Sequence, residues 1–225
     1  MIRGFIALAV ALLLVAAAPA ARAGEEQVLI DRAKVSVDAF AAQSDMADLR
    51  KMLATARGVI IFPEYIKASF LIGGEGGGGV LLARDPQGGQ WSAPVFYLMG
   101  GGSFGLQAGG EISEIMLVIR TEKGLDAVLK NRFKVGADAT VAFGTIGKGL
   151  AASTTSNVGA DIVTFSRAKG LAAGISIDGA VLQPRDRWND TYYAKPVTPR
   201  EILAGNVDGM GSDALRQALK AAEAP

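Results

Sequence analysis

The 225-residue chain carries 29 glycines, no histidine and no cysteine, and its 23 basic residues nearly balance 22 acidic ones. Without cysteine there is no disulfide, thiolate nucleophile, Cys-ligated metal or lipoprotein anchor, and without histidine the commonest acid–base group near neutral pH is missing. The near-neutral total excludes the strong basic excess of a dedicated nucleic-acid binder.

Arg3 opens the chain, Phe5 to Ala18 is an almost unbroken apolar run, and Ala21-Arg22-Ala23 follows as a small-x-small pattern. That order predicts a secretory signal peptide over residues 1–23, cleaved after Ala23. The run is shorter than the roughly 20 residues a spanning helix needs. Losing Arg3 and Arg22 takes the basic count from 23 to 21, against 22 acids. Residues 24–225 then form one exported domain, periplasmic or secreted, peripheral to the membrane and not a lipoprotein.

Glu25 to Ala42 predicts an amphipathic helix, with Leu29, Ala33, Val37 and Phe40 on one face and Gln27, Asp31, Lys34 and Asp38 opposite. Ser44 is placed to cap a second helix whose apolar stripe is Met46, Leu49, Leu53 and Ala56, with Gly58 as its stop. From Val59 the period changes. Short apolar runs at 59–62, 68–72, 80–82, 91–99 and 115–119, punctuated by Gly and Pro, predict short strands with a turn at 85–89. Glu122 to Asn131 reads as one central helix that buries Leu125, Val128 and Leu129. Strands return at 139–143, 161–166 and 171–177. Thr198-Pro199-Arg200-Glu201 opens a short helix with proline at its first position, and Ser212 to Ala222 reads as another. The fold class expected is α+β. A glycine-rich antiparallel or mixed β-sheet, open to barrel-like curling, carries N-terminal helices, one central helix and short C-terminal helices. An outer-membrane barrel would need alternating strands of about 9–11 residues, which these short runs do not supply.

Several motifs imitate catalytic signatures. Gly101-Gly102-Ser103-Phe104-Gly105 matches the nucleophile elbow, but no histidine exists to take the serine proton, leaving only a Ser–Lys pair. Gly74-x-Gly76-x-x-Gly79 and Gly100-x-Gly102-x-x-Gly105 match the dinucleotide fingerprint without a helix-forming segment after them. Gly147-Lys148-Gly149 lacks the hydroxyl of a phosphate loop, and Ala142 stands where its first glycine belongs. Asp186, Asn189 and Asp190 do not fit a calcium loop and read as a surface turn, across which Asn189-Asp190-Thr191 is formally a glycosylation sequon. No catalytic residue, metal or cofactor is expected, so the chain reads as a non-enzyme. Arg57, Lys67, Arg84, Arg120, Lys148, Arg167 and Lys169 are scattered through the β-rich part. Gathered on one face, they would hold anionic head groups at about 1 kcal/mol each.

The segment Ala56-Arg57-Gly58-Val59-Ile60-Ile61-Phe62, then Lys67-Ala68-Ser69-Phe70 and Gly73-Gly74, resembles the opening of the SYLF domain. Gly102 to Gly109, Gly136 to Val141, Phe165 to Gly174 and the Tyr192-Tyr193 pair continue the likeness in order. It spans roughly 33–203. The resemblance implies a non-catalytic module that binds membrane lipid, and makes the glycine count a signature of the fold. It departs at Thr145-Ile146-Gly147-Lys148, where relatives often carry Pro-Val-Gly-Arg, so charge is kept but the bidentate arginine fork is lost. The eukaryotic members are cytosolic and bind actin or phosphoinositides. In an exported bacterial member those partners are not carried over, and anionic phospholipid or another envelope lipid takes their place, with Lys67, Lys148, Arg167 and Lys169 as the main head-group contacts. The rival expectation is a cell-envelope structural domain that binds an envelope protein and no lipid.

Overall fold

The computed structural model describes residues 24–43, 47–85, 89–145, 159–168, 177 and 179–223. Among the described residues twelve elements follow in order: α1 (Glu25–Ala41), α2 (Ala47–Thr55), β1 (Gly58–Ala83), β2 (Val95–Ile119), α3 (Glu122–Val128), β3 (Phe133–Lys134), β4 (Val141–Thr145), β5 (Ile162–Ala168), β6 (Val181–Pro184), α4 (Asp186–Tyr193), α5 (Pro199–Leu203) and α6 (Asp213–Ala222). The class is α+β, as the sequence predicts, and the sheet is mixed. β2 pairs antiparallel with β1, β5 and β6, whereas β4 runs parallel to β5.

The strands are not short. β1 has 26 residues and β2 has 25, and they pair from Gly58–Ile119 to Leu81–Val95. Glycines read as punctuation lie inside this hairpin and face one another across it, Gly74 opposite Gly102 and Gly76 opposite Gly100. Two register shifts, between Phe62 and Tyr65 and between Ser69 and Leu71, bend β1 enough that it touches itself. A Cβ on Gly77 would stand 2.3 Å from the Glu64 carbonyl oxygen, and one on Gly79 would stand 2.5 Å from the Phe62 ring. Glycine is required there because backbone packs on backbone. The strand-length objection to a barrel in lipid thus lapses. A different observation opposes it: where the described hairpin begins and ends, both of its faces are packed inside the protein.

Alternate residues of the hairpin enter two cores. Val59, Ile61, Val80, Leu82, Phe96, Met116 and Val118 meet Ile30, Val37 and Phe40 of α1, Leu49 and Leu53 of α2, and Leu215 and Leu219 of α6. Ile60, Phe62, Leu81, Val95, Tyr97, Leu117 and Ile119 meet Val128, Phe133, Leu182 and Ile202 on the other side. Burial on both faces explains why the strands read as continuous apolar runs rather than alternating ones. On α1 the inward face is Ile30, Ala33, Ser36, Val37 and Phe40, so Ile30 takes the place expected of Leu29, which is only partly buried.

The central helix ends three residues early, at Val128, with Thr121 accepting from the Gly124 amide. It buries Gly124, Ala127 and Val128 rather than Leu125 and Leu129, which are partly buried. Thr198 and Glu201 form a capping box on α5. Strands expected at 139–143 and 161–166 occur as β4 and β5, shifted by one or two residues. Ser44, Met46 and most of the strand expected at 171–177 lie outside the described residues. The supposed surface turn at 186–190 is instead α4, and Asn189 within it is fully buried. Its side chain is therefore closed to glycosylation.

Candidate functional site

The five described cations of those singled out in the sequence fall into two groups. Arg57, Arg84 and Arg120 gather where the hairpin begins and β1 ends: the Arg57 amide bonds the Ile119 carbonyl, the Arg84 amide bonds the Arg57 carbonyl, and the Arg120 guanidinium bonds the Ala160 carbonyl at 3.3 Å. Lys67 and Arg167 lie farther along, beside Glu111 and Glu114 of β2 in the strand register. Lys148 and Lys169 lie outside the described residues.

Four of the described cations are paired to carboxylates. Lys67 Nζ is 3.4 Å from a buried Glu75 oxygen. Arg167 Nε donates to Glu114 Oε2 at 2.7 Å, and Ser36 of α1 donates to the other Glu114 oxygen at 3.1 Å. Arg57 meets Glu122 at 3.1 Å on the exposed surface. Tyr65 is fully buried, and burial, reinforced by the Glu75 charge, pushes its ionisation well above the usual phenol range.

Arg84 has a structural task. Its Nε and Nη2 donate to the Ala56 and Leu53 carbonyls at the end of α2, at 3.1 and 2.8 Å, and Nη1 donates to the Gly89 carbonyl at 2.9 Å. The guanidinium stacks on Trp91 at 4.4 Å, and both side chains donate to Glu223 Oε1 at 2.8 Å. This nearly buried clamp caps α2 and pins the end of α6.

A concave site lies elsewhere. A groove of about 840 Å³ runs between the first turns of α1 and the glycine run of β1, within the size range of small-molecule sites. Val28, Leu29, Pro63 and Ile66 supply its apolar wall, and Gly76 to Gly78 its floor. Arg185 and Trp188 close one end, with the guanidinium 3.3 Å from the centre of the indole ring. Burial lowers the Arg185 pKa, opposed by the Glu25 and Glu26 charges. Among the described residues, no carboxylate comes within ion-pair distance of Arg185 and its guanidinium donates no hydrogen bond. Arg32 on the rim is taken by Glu64 at 3.3 Å. Arg185 was not among the cations chosen from the sequence. A lone arginine after proline has no pattern, and only its neighbours in space mark it out.

Three of the catalytic look-alikes fail on backbone geometry, and the phosphate-loop-like Gly147-Lys148-Gly149 lies outside the described residues. Both dinucleotide-like glycine patterns run inside strands, 74–79 within β1 and 100–105 within β2, and neither opens a helix. Ser103 lies in mid-strand, not at a strand-to-helix elbow. Among the described residues there is no cluster of acidic side chains fit to hold a metal ion.

A family model described as "Ysc84: Las17-binding protein actin regulator" matches residues 100–222. The chain is similar to SH3 domain-containing YSC84-like protein 1 of Bos taurus, 32% identical over 157 residues that make up 69% of this chain and 46% of that protein. The Xenopus laevis protein of the same name is 34% identical over 158 residues, 69% of this chain and 47% of that one. LAS seventeen-binding protein 3 of Saccharomyces cerevisiae is 30% identical over 159 residues, 69% and 34% respectively. The chain thus matches less than half the length of each of these curated relatives.

Proposed function

Because the chain belongs to the Ysc84/SYLF family, we propose that it is an exported, non-catalytic binding module that associates with anionic membrane lipid. The observation that carries this reading is a set of large aliphatic side chains left outside both cores. Ile66 and Ile112 oppose each other across β1 and β2, 45% and 42% exposed, and Val35 of α1 is 61% exposed. Lys67 follows Ile66 directly and stays partly exposed beside Glu75. Aliphatic groups set beside a cation suit the boundary between head groups and acyl chains. With Lys67 and Arg167 half-neutralised by Glu75 and Glu114, apolar contact contributes more than charge to the association. Lys148 and Lys169 complete the proposed head-group set.

Co-sedimentation of residues 24–225 with phosphatidylglycerol vesicles at low salt tests the reading. Binding that falls severalfold in the Ile66→Asp, Ile112→Asp double variant is expected. Failure of the intact protein to pellet with such vesicles would overturn it. The second reading is a protein-binding domain of the cell envelope. The internal pairing of the cations favours it, as do relatives named for binding another protein. A defined protein partner, bound equally by the double aspartate variant, would support it.

A further inference from the structure

We propose that the groove beside the glycine run holds one zwitterionic amphiphile of the phosphatidylethanolamine type. Its phosphate would rest on Arg185, its ammonium would face Glu25, and its acyl chains would lie along Val28, Leu29, Pro63 and Ile66. The rim charges select the head group. Arg185 and Glu25 both line the groove, and the Glu25 charge acts on Arg185. They nevertheless stand outside ion-pair distance, and the other acid whose charge reaches Arg185 is Glu26, the next residue of α1. A positive and a negative group held apart across one opening complement a ligand carrying the same two charges in the opposite order. An anionic head group would satisfy Arg185 but meet repulsion from Glu25. A free ammonium ion would do the reverse.

The geometry also favours phosphate at Arg185. The guanidinium is held flat on Trp188, so little side-chain freedom is lost when its N–H edge grips two oxygens. Stacking on an indole leaves that edge free, because the attraction acts through the ring face. The Arg32–Glu64 pair, also in the groove lining, neutralises itself and leaves the selection to Arg185 and Glu25. The apolar wall needs a tail: Val28 is 39% exposed and Ile66 45% exposed, surface that a water-soluble head group alone would leave wet. This assignment stands on the groove and does not depend on vesicle association.

Isothermal titration of residues 24–225 with three probes below their micelle concentrations tests it: dihexanoyl phosphatidylethanolamine, dihexanoyl phosphatidylglycerol and free phosphoethanolamine. The ethanolamine lipid should bind at least about fivefold tighter than the glycerol lipid, and phosphoethanolamine should bind far more weakly than either. Arg185→Ala should weaken both lipids about tenfold. Glu25→Gln lies on an exposed rim and leaves packing untouched. It should weaken only the ethanolamine lipid and so erase the preference. Equal affinity for the two lipids, an unchanged preference in Glu25→Gln, or phosphoethanolamine binding as tightly as its lipid would overturn the proposal. Loss of the preference with vesicle binding intact would remove this assignment alone. Failure to bind vesicles with the preference intact would remove only the surface reading.

Discussion

The side chain of Asn189 meets both backbone polar groups of Phe96. Its Oδ1 accepts from the Phe96 amide at 2.8 Å, and its Nδ2 donates to the Phe96 carbonyl at 3.4 Å. β6 pairs with β2 as far as Pro184 opposite Tyr97, where proline can donate no further bond. One residue further along β2 the Arg185 amide still donates to the Phe96 carbonyl at 2.8 Å, and Asn189 supplies the acceptor for the Phe96 amide. Phe96 meanwhile packs edge-on against Trp188 at 5.9 Å and Tyr192 at 5.2 Å. An isosteric Asn189→Leu change leaves the Phe96 amide buried without that acceptor. A loss of about 1–3 kcal/mol is expected in urea unfolding, and a loss within about 0.5 kcal/mol would contradict the role.

Gly77 and Gly74 lie three residues apart in β1 but are predicted to respond oppositely to alanine. The Gly77 Cβ would collide with the Glu64 carbonyl, whereas nothing lies within 4 Å of a Cβ on Gly74. Gly77→Ala should destabilise by about 3 kcal/mol or more, because backbone must move. Gly74→Ala should be neutral or stabilise by about 0.5 kcal/mol through a less flexible unfolded chain. Paired thermal melts check the contrast.

Asp161 predicts an acid limb of stability. Burial opposes its charge, but Thr121 Oγ1 at 2.8 Å, Lys123 Nζ at 3.0 Å and the Thr140 hydroxyl and amide at 2.8 and 3.2 Å hold its carboxyl well below the usual carboxylate range. A depressed folded pKa contributes stability above the unfolded value near 3.9, and that contribution is lost as pH falls through it toward the folded pKa. Asp161→Asn should cost about 2 kcal/mol at pH 7 and flatten the fall in Tm between pH 5 and pH 3. Parallel pH profiles of the two proteins would disprove the assignment.

The Arg84–Glu223 pair should matter far more than the Arg200–Asp126 pair. The first is 12% and 9% exposed at its side chains, the second 64% and 63%. Breaking a buried pair strands a charge and costs about 3–5 kcal/mol, while an exposed pair is worth at most about 1 kcal/mol. Arg84→Met is expected to lower stability by the larger amount and to speed amide exchange across α6. Asp126→Ala should do neither.

The helices whose apolar residues recur at helical spacing were legible from the chain alone. α1 and α6 occur within a residue of the expected 25–42 and 212–222, and Pro199 opens α5 as expected. The hairpin was misread in its continuity. Glycine normally interrupts a strand, but Gly74 and Gly76 face Gly102 and Gly100, a pairing invisible until the partner strand is known. α4 was hidden by its composition: Asp186 to Tyr193 is polar apart from its aromatics, and the one residue it buries fully is Asn189. Legibility was poorest at the groove, because its lining comes from three distant stretches of sequence, around Gly24, Ile66 to Gly77, and Arg185.

The first and last helices lie against one another. Gln27 of α1 donates to the Gly211 carbonyl just before α6, and Leu215 and Leu219 share a core with Ile30 and Val37. During synthesis from the N-terminus, that helical layer stays open until α6 emerges. The hairpin can zip early from its own neighbouring sequence, but its helix-facing side remains sticky until then. Trimming only α6 would hold the protein at that unfinished stage and make it a natural client for chaperones.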